Sequence, residues 1–149
     1  DDVLSSGTVA AAIEGRHLGL PSLAVSLAKP CKNYDTAISI TLKLINKIIN
    51  TTINRTTILN INIPDIANNK IKGMKITSFG KRHPSTSVIE IKDPRGNRAF
   101  WIGLPGKAKN IELGTDFHAV QNDFVSITPF KLNWTDLNNM DNLKLLLEK

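Results

Sequence analysis

The run Leu-Ala-Val-Ser-Leu-Ala at 23–28 constrains the fold more than any other stretch. It is short, almost wholly apolar, and bounded by Gly19 and Pro21 before it and Pro30 after it. A run of that kind reads as a strand buried on both faces, the usual state of a strand in a parallel sheet. Such a strand needs neighbours on both sides. Its flanks are helical in pattern. Val9, Ala10, Ile13 and His17 recur near helical spacing over 7–18, with Ser6 or Thr8 placed to cap the start and Gly19 to stop it. His17 falls on the apolar side and is expected to pack in the core.

A second helix is expected from Asn33 or Asp35 to about Asn50, with Tyr34, Ile38, Leu42, Ile45 and Ile49 as its apolar face. In 58–64, Ile58, Asn60 and Asn62 alternate with Leu59, Ile61 and Ile63 until Pro64 ends the strand. Residues 71–79 and 124–130 read as further strands. A hairpin spans 88–103, turning at Asp-Pro-Arg-Gly-Asn, where Pro94 presets the backbone and Gly96 permits a positive φ. Ile89 and Ile91 share one side of it; Glu90 and Lys92 share the other. Residues 103–114 read as loop, and Thr135 or Asp136 caps a terminal helix. Helix and strand alternate in the first half, and the second half is hairpin-rich, so the fold class is α/β with a β-rich extension. The expected division is a single domain over 1–149: an α/β core part at 1–69, the extension at 70–130 with the hairpin 88–103, and a C-terminal segment at 131–149.

No apolar run approaches the roughly 20 residues of a membrane span, and the acidic start is unlike a secretory signal. A single cysteine, Cys31, allows no internal disulfide. A cytoplasmic protein without membrane contact is expected. The net charge of +6 is discounted, because an Ile-, Asn- and Lys-rich composition reflects genome bias as readily as selection for a basic surface.

The opening turn carries the clearest chemistry. A helix start has unpaired N–H groups and about half a positive charge, which together favour an anion. Ser6 and Thr8 add hydroxyls, and Gly7 adds no side chain to block approach. Ser6, Gly7 and Thr8 are therefore a candidate phosphate site; a plain N-cap without a ligand is the competing reading. In open α/β sheets such a turn follows a strand, and Asp1 to Ser5 are too few to supply one. The expectation is that the chain is the back part of a larger fold.

The stretch LSSGTVAAAIEGRHLGLPSLAVSLA closely resembles the SurE family of metal-dependent 5′-nucleotidases. Three further blocks match in order: ILNINIPD (58–65), DPRGNRAFWIG (93–103) and GTDFHAVQNDFVSITPF (114–130). The resemblance covers residues 1 to about 137. It implies a Rossmann-like fold, here incomplete because its N-terminal strands are missing, with a β-hairpin extension and a C-terminal helix. The hairpin and the C-terminal segment are often exchanged between subunits in dimers and tetramers. It implies removal of phosphate from nucleoside monophosphates with a divalent cation, Mg²⁺ or Mn²⁺, whose ligands lie upstream of residue 1. No metal ligand and no catalytic residue is therefore assigned in this chain. Asp1 and Asp2 match aspartates that follow the family's glycine-rich loop, not its metal pair. Ser6, Gly7 and Thr8 match the Ser-Gly-Thr that lines the phosphate side. Asp116 and His118 match the Gly-Thr-Asp-Phe-His block, at or near the exchanged extension. Two departures stand out: Ser5 replaces a tyrosine, and Asp123-Phe124 replaces a Gly-Tyr pair before the last strand.

From the residues alone, Asp116 and His118 are expected to make a polar contact in a loop, on one side of an extended backbone. Arg95 at the hairpin tip suits either a neighbouring subunit or solvent, and Trp101 either a core or an interface. Lys70, Lys72, Lys75, Lys81 and Arg82 crowd one stretch with only Phe79 among them. They read as a solvated strand edge rather than a nucleic-acid stripe, which needs more aromatics. Two rivals to the nucleotidase reading remain: an inactive remnant or partner-requiring subunit, and a basic nucleic-acid-binding module whose affinity would fall steeply with salt.

Overall fold

A computed structural model gives the fold, and the structure describes residues 2–51, 53–85, 87–103, 106–109, 111–133 and 135–148. Asp1, of the two opening aspartates, and parts of the 103–114 loop lie outside them. Helix α1 is Gly7–Gly15, strand β1 Ser22–Leu27, helix α2 Tyr34–Ile49 and strand β2 Ile58–Ile63. Strand β3 is Gly73–Ile76, β4 Lys81–Arg82, β5 Ile89–Lys92, β6 Arg98–Trp101 and β7 Ala108–Lys109; helix α3 is Asp116–Gln121, strand β8 Phe124–Phe130 and helix α4 Leu137–Leu147. Among the described residues the main sheet has the order β1-β2-β8-β3. β1 and β2 are parallel, joined through α2; β8 runs antiparallel to β2 and parallel to β3. Strands at 73–76 and 124–130 thus complete the same sheet that 22–27 and 58–63 begin. β1 has β2 on one side and no described strand on the other.

β2 is the centre of the molecule, and its alternation assigns the two faces. Leu59, Ile61 and Ile63 turn to α2 and join Ile40, Leu44, Val125 and Ile127 in one core. Ile58, on the opposite face, joins Val9, Ala12 and Ala24 beneath α1. Further along that second face come Asn60 and Asn62, and at the matching positions of β8 the buried Thr128 and Ser126.

α2 packs by a different face from the one its spacing suggests. Thr36, Ile40 and Leu44 are buried, whereas Tyr34, Ile38, Leu42 and Ile49 are exposed. The helix carries apolar residues at three- and four-residue steps in two registers, and its anchoring selects between them. The Asp65 carboxylate accepts hydrogen bonds from the Lys32 and Asn33 amides (2.9 and 2.7 Å), and the Thr36 hydroxyl donates to the Ile66 carbonyl at 2.9 Å. These bonds tie the helix start to the end of β2 and fix its rotation. Burial pushes the Asp65 carboxyl up, but the bonds from Lys32 and Asn33 more than offset it and hold it below the usual carboxylate range.

Other expectations shift for local reasons. His17 is exposed, because the helix tightens into a 3₁₀ turn at Arg16–Leu18 and carries it off the packed face. The 103–114 segment contains β7, which pairs antiparallel with β4. Asp123 takes a left-handed φ of 68°, the conformation that explains a glycine in the family pattern there, and pairs with Lys72 at 2.9 Å.

The hairpin forms as expected, with Ile89 opposite Trp101 and Lys92 opposite Arg98. Asp93 closes its turn by accepting from the Arg95 and Asn97 amides, and Gly96 has φ 85°. Arg95 is exposed at the tip. Trp101 is 64% exposed, which excludes it as a core anchor of this chain. α4 buries no residue. No described helix is long and apolar enough to cross a membrane.

Candidate functional site

The start of α1 is capped as its sequence demands. The Ser6 hydroxyl accepts from the Val9 amide at 3.2 Å and the Ser6 carbonyl from the Ala10 amide. The amides of Gly7 and Thr8 have no partner among the described residues, and nothing lies within 4 Å of where a Gly7 side chain would begin. Both residues are exposed. Ser6 is the N-cap, and two N–H groups without a partner among the described residues sit beside it.

Ser6 lies on the wall of a cleft of about 670 Å³ between α1 and α3. The floor is the sheet face bearing Ser26, Asn60 and Asn62; the far wall is Phe79, Gly80, Arg82, Asp116, Phe117 and Val120. A more open hollow of about 680 Å³ on the outer side of α1 also touches Ser6; the rest of its lining is mostly apolar, with Glu14 and Arg16.

An ion pair between distant parts of the chain lines the cleft. Arg82 Nε and one terminal nitrogen donate to the two carboxylate oxygens of Asp2, both at 2.6 Å. The guanidinium also lies 4.8 Å from the centre of the Phe117 ring and donates to the Gly106 carbonyl at 3.1 Å. Arg82 therefore leaves the solvated lysine stretch and enters the site, tethering the turn that leads into Ser6. The hydrogen bonds from Arg82 hold the Asp2 carboxyl below the usual carboxylate range, against partial burial that pushes it up. A depressed carboxyl contributes stability that is present above its unfolded pKa and is lost as pH falls through the folded one. The tether is expected to hold at pH 4 and to release only below that, since an unperturbed Asp titrates near about 3.9. Following the Arg82 side-chain N–H resonances by NMR during an acid titration checks this, and Asp2→Asn should remove the transition; release well above pH 4 would contradict the pairing.

Asp116 and His118 do not form a pair. Thr115 caps α3 by accepting from the His118 amide at 3.3 Å, so the segment is helical rather than extended. Two residues apart on a helix point to different sides. Asp116 faces the cleft, where one oxygen accepts from the Gly80 and Phe117 amides, both at 2.8 Å. His118 does not line it. Arg95 and Trp101 are likewise absent from the lining and belong to the hairpin. The residues that sequence reasoning left out of the site are Asp2, Arg82, Asn60 and Asn62. Two asparagines at alternate positions of a strand otherwise made of Ile and Leu were the readable signal for the last pair.

These residues do not fit a divalent cation. Among the described residues no three His, Cys, Asp or Glu side chains come together, and the carboxylates of Asp2 and Asp116 are engaged by Arg82 and by backbone amides.

Comparison with known proteins agrees with the sheet. Residues 1–86 match the family described as survival protein SurE. The chain is 49% identical over 148 residues to the 5′-nucleotidase SurE of Mannheimia succiniciproducens, covering 99% of this chain and 60% of that protein. It is 49% identical over 135 residues to the 5′/3′-nucleotidase SurE of Klebsiella pneumoniae, covering 91% and 53%. The crystal structure of the SurE protein from Aquifex aeolicus superposes with a TM-score of 0.78 at 36% identity, over 99% of this chain and 60% of that one. The chain thus spans little more than half the length of the relatives it matches. Its fold is that of an incomplete Rossmann-like α/β sheet, and the chain belongs to the SurE family.

Proposed function

We propose that this chain forms the phosphate-holding side of a 5′-nucleotidase, a hydrolase that removes phosphate from nucleoside 5′-monophosphates. The observation that carries the reading is the α1 start: two amides, at Gly7 and Thr8, without a partner among the described residues and in the open beside a roomy cleft that Ser6 lines. Relatives of this chain bear the name 5′-nucleotidase. Donors fixed at a helix start favour charge that grows on phosphoryl oxygens and need no reorganisation as the reaction proceeds. The Asp2–Arg82 tether keeps the turn in place.

A divalent cation, Mg²⁺ or Mn²⁺, belongs to the same proposal, with its ligands in the part of the relatives' length that this chain does not span. When bound it would polarise the phosphate ester and activate water. The chain alone is then expected to be inactive, in line with the rival reading of a partner-requiring subunit. The proposal also includes a cytoplasmic enzyme that assembles as a dimer or tetramer, exchanging the hairpin and α4. The exposed Phe100, Trp101, Leu143 and Leu146 support that exchange by offering apolar surface to a second copy.

The test is release of inorganic phosphate from AMP by the protein joined to its upstream sequence. Turnover is expected with Mg²⁺ or Mn²⁺ and is expected to vanish in excess chelator. Equal turnover with and without chelator sinks the reading.

A further inference from the structure

The floor of the cleft holds an amide that no described residue uses. Asn60 sits at the centre of β2, 6% exposed, and lines the cleft. Its side chain makes no hydrogen bond to any described residue. The polar side chain opposite it on β8, Thr128, is already bonded to Thr77 at 2.8 Å. Its amide atoms are open to the cleft rather than sealed in the core, so a group entering the cleft can pair with them. Asn62, one step nearer the rim, reaches only the Ser126 hydroxyl, at 3.5 Å, with one of its donors and leaves its carbonyl oxygen open.

The floor is also electrically neutral. Asp2 and Arg82 cancel each other, and the remaining charged lining residues, Asp116 and Lys29, are one of each sign. Anions are drawn instead to the free amides at the α1 start. Phe79 and Phe117 border the same cleft and give it apolar wall beside the amides. A side-chain amide presents a donor and an acceptor in one plane, the pattern that pairs with the edge of a heterocyclic base.

We propose that Asn60, with Asn62 beside it, seats the base of the nucleotide, so that the cleft reads the nucleoside while the α1 start holds the phosphate. This rests on the nucleotidase reading and adds the part of the substrate that the floor addresses. Asn60 and Asn62 are binding residues in this scheme and take no part in bond breaking.

The experiment uses the protein joined to its upstream sequence and compares AMP with ribose 5-phosphate, which keeps the phosphate and sugar but has no base. Asn60→Ser is expected to lower kcat/KM for AMP by about tenfold, the discrimination of a bidentate amide–base contact, and to leave ribose 5-phosphate unchanged. Calorimetric titration with adenosine, which has no phosphate to hydrolyse, is expected to show binding to the wild type and about tenfold weaker binding to the variant. An equal loss on both substrates overturns the proposal in favour of a structural role. No change on either, with adenosine binding intact or absent throughout, overturns it in favour of a bound water. If Asn60→Ser does not fold, Asn62→Ala at the half-buried neighbour carries the same comparison with the same outcomes. Should the wild type hydrolyse neither substrate, the nucleotidase reading fails, and the adenosine titration still decides whether the floor seats a base.

Discussion

Ile61→Ala is expected to destabilise the protein by about 2–5 kcal/mol, the usual cost of truncating a fully buried isoleucine. Ile61 is inaccessible to solvent and sits where the middle of β2 pairs with both β1 and β8. Its side chain meets the α2 core, in which Ile40, Leu44 and Ile127 close around it. The flanking strands hold the backbone on both sides, so the site has little room to collapse and the cavity term adds to the transfer term. A domain of ordinary stability has about 5–15 kcal/mol in total, so the loss is a large share. Each kcal/mol moves the melting temperature by about 2–4 °C in domains of this size. Thermal unfolding of the protein measures it. Ile76→Ala is the control: Ile76 is 72% exposed on the edge strand β3, and its loss is expected to stay within about 0.5 kcal/mol. Equal effects at the two positions would mean that β2 is not the centre of the core.

The contrast between those two isoleucines marks what a sequence discloses here. The alternation of β2 was legible because a strand has only two faces, and one set of residues had to differ from the other. The hairpin was legible because Asp93, Pro94 and Gly96 fix its turn through neighbours in the chain. The face of α2 was not. A helix rich in Ile and Leu satisfies several registers, and the one adopted is set by Asp65 and Thr36 bonds that join segments about thirty residues apart.

The candidate site divides in the same way. Ser6, Gly7 and Thr8 were readable because a cap is a local device. Asp116 was found, but with the wrong partner, since Thr115 turns the segment helical and sends His118 elsewhere. Arg82 was hidden in a run of lysines, because its role depends on Asp2, eighty residues away. Long-range ion pairs leave no periodic trace.

Gly80→Ala tests whether those long-range contacts act as a unit. Gly80 is buried, and its amide donates to Asp116. A methyl group there would run into the edge of the Phe117 ring and lie 2.9 Å from the Asp116 carboxylate. The ring cannot swing freely, because Arg82 lies over it and is itself held by Asp2. The substitution is therefore expected to cost roughly 1–3 kcal/mol, as overpacking does, and, on the proposed nucleotidase reading, to lower kcat/KM for AMP by displacing one wall of the cleft. Trimming the ring should relieve the clash. If it does, Gly80→Ala in a Phe117→Leu background costs less than in the wild type, with a coupling of about 0.5–3 kcal/mol between neighbours. Strictly additive losses would mean that the wall yields elsewhere, and that the chain from Gly80 through Phe117 and Arg82 to Asp2 does not hold the turn before Ser6.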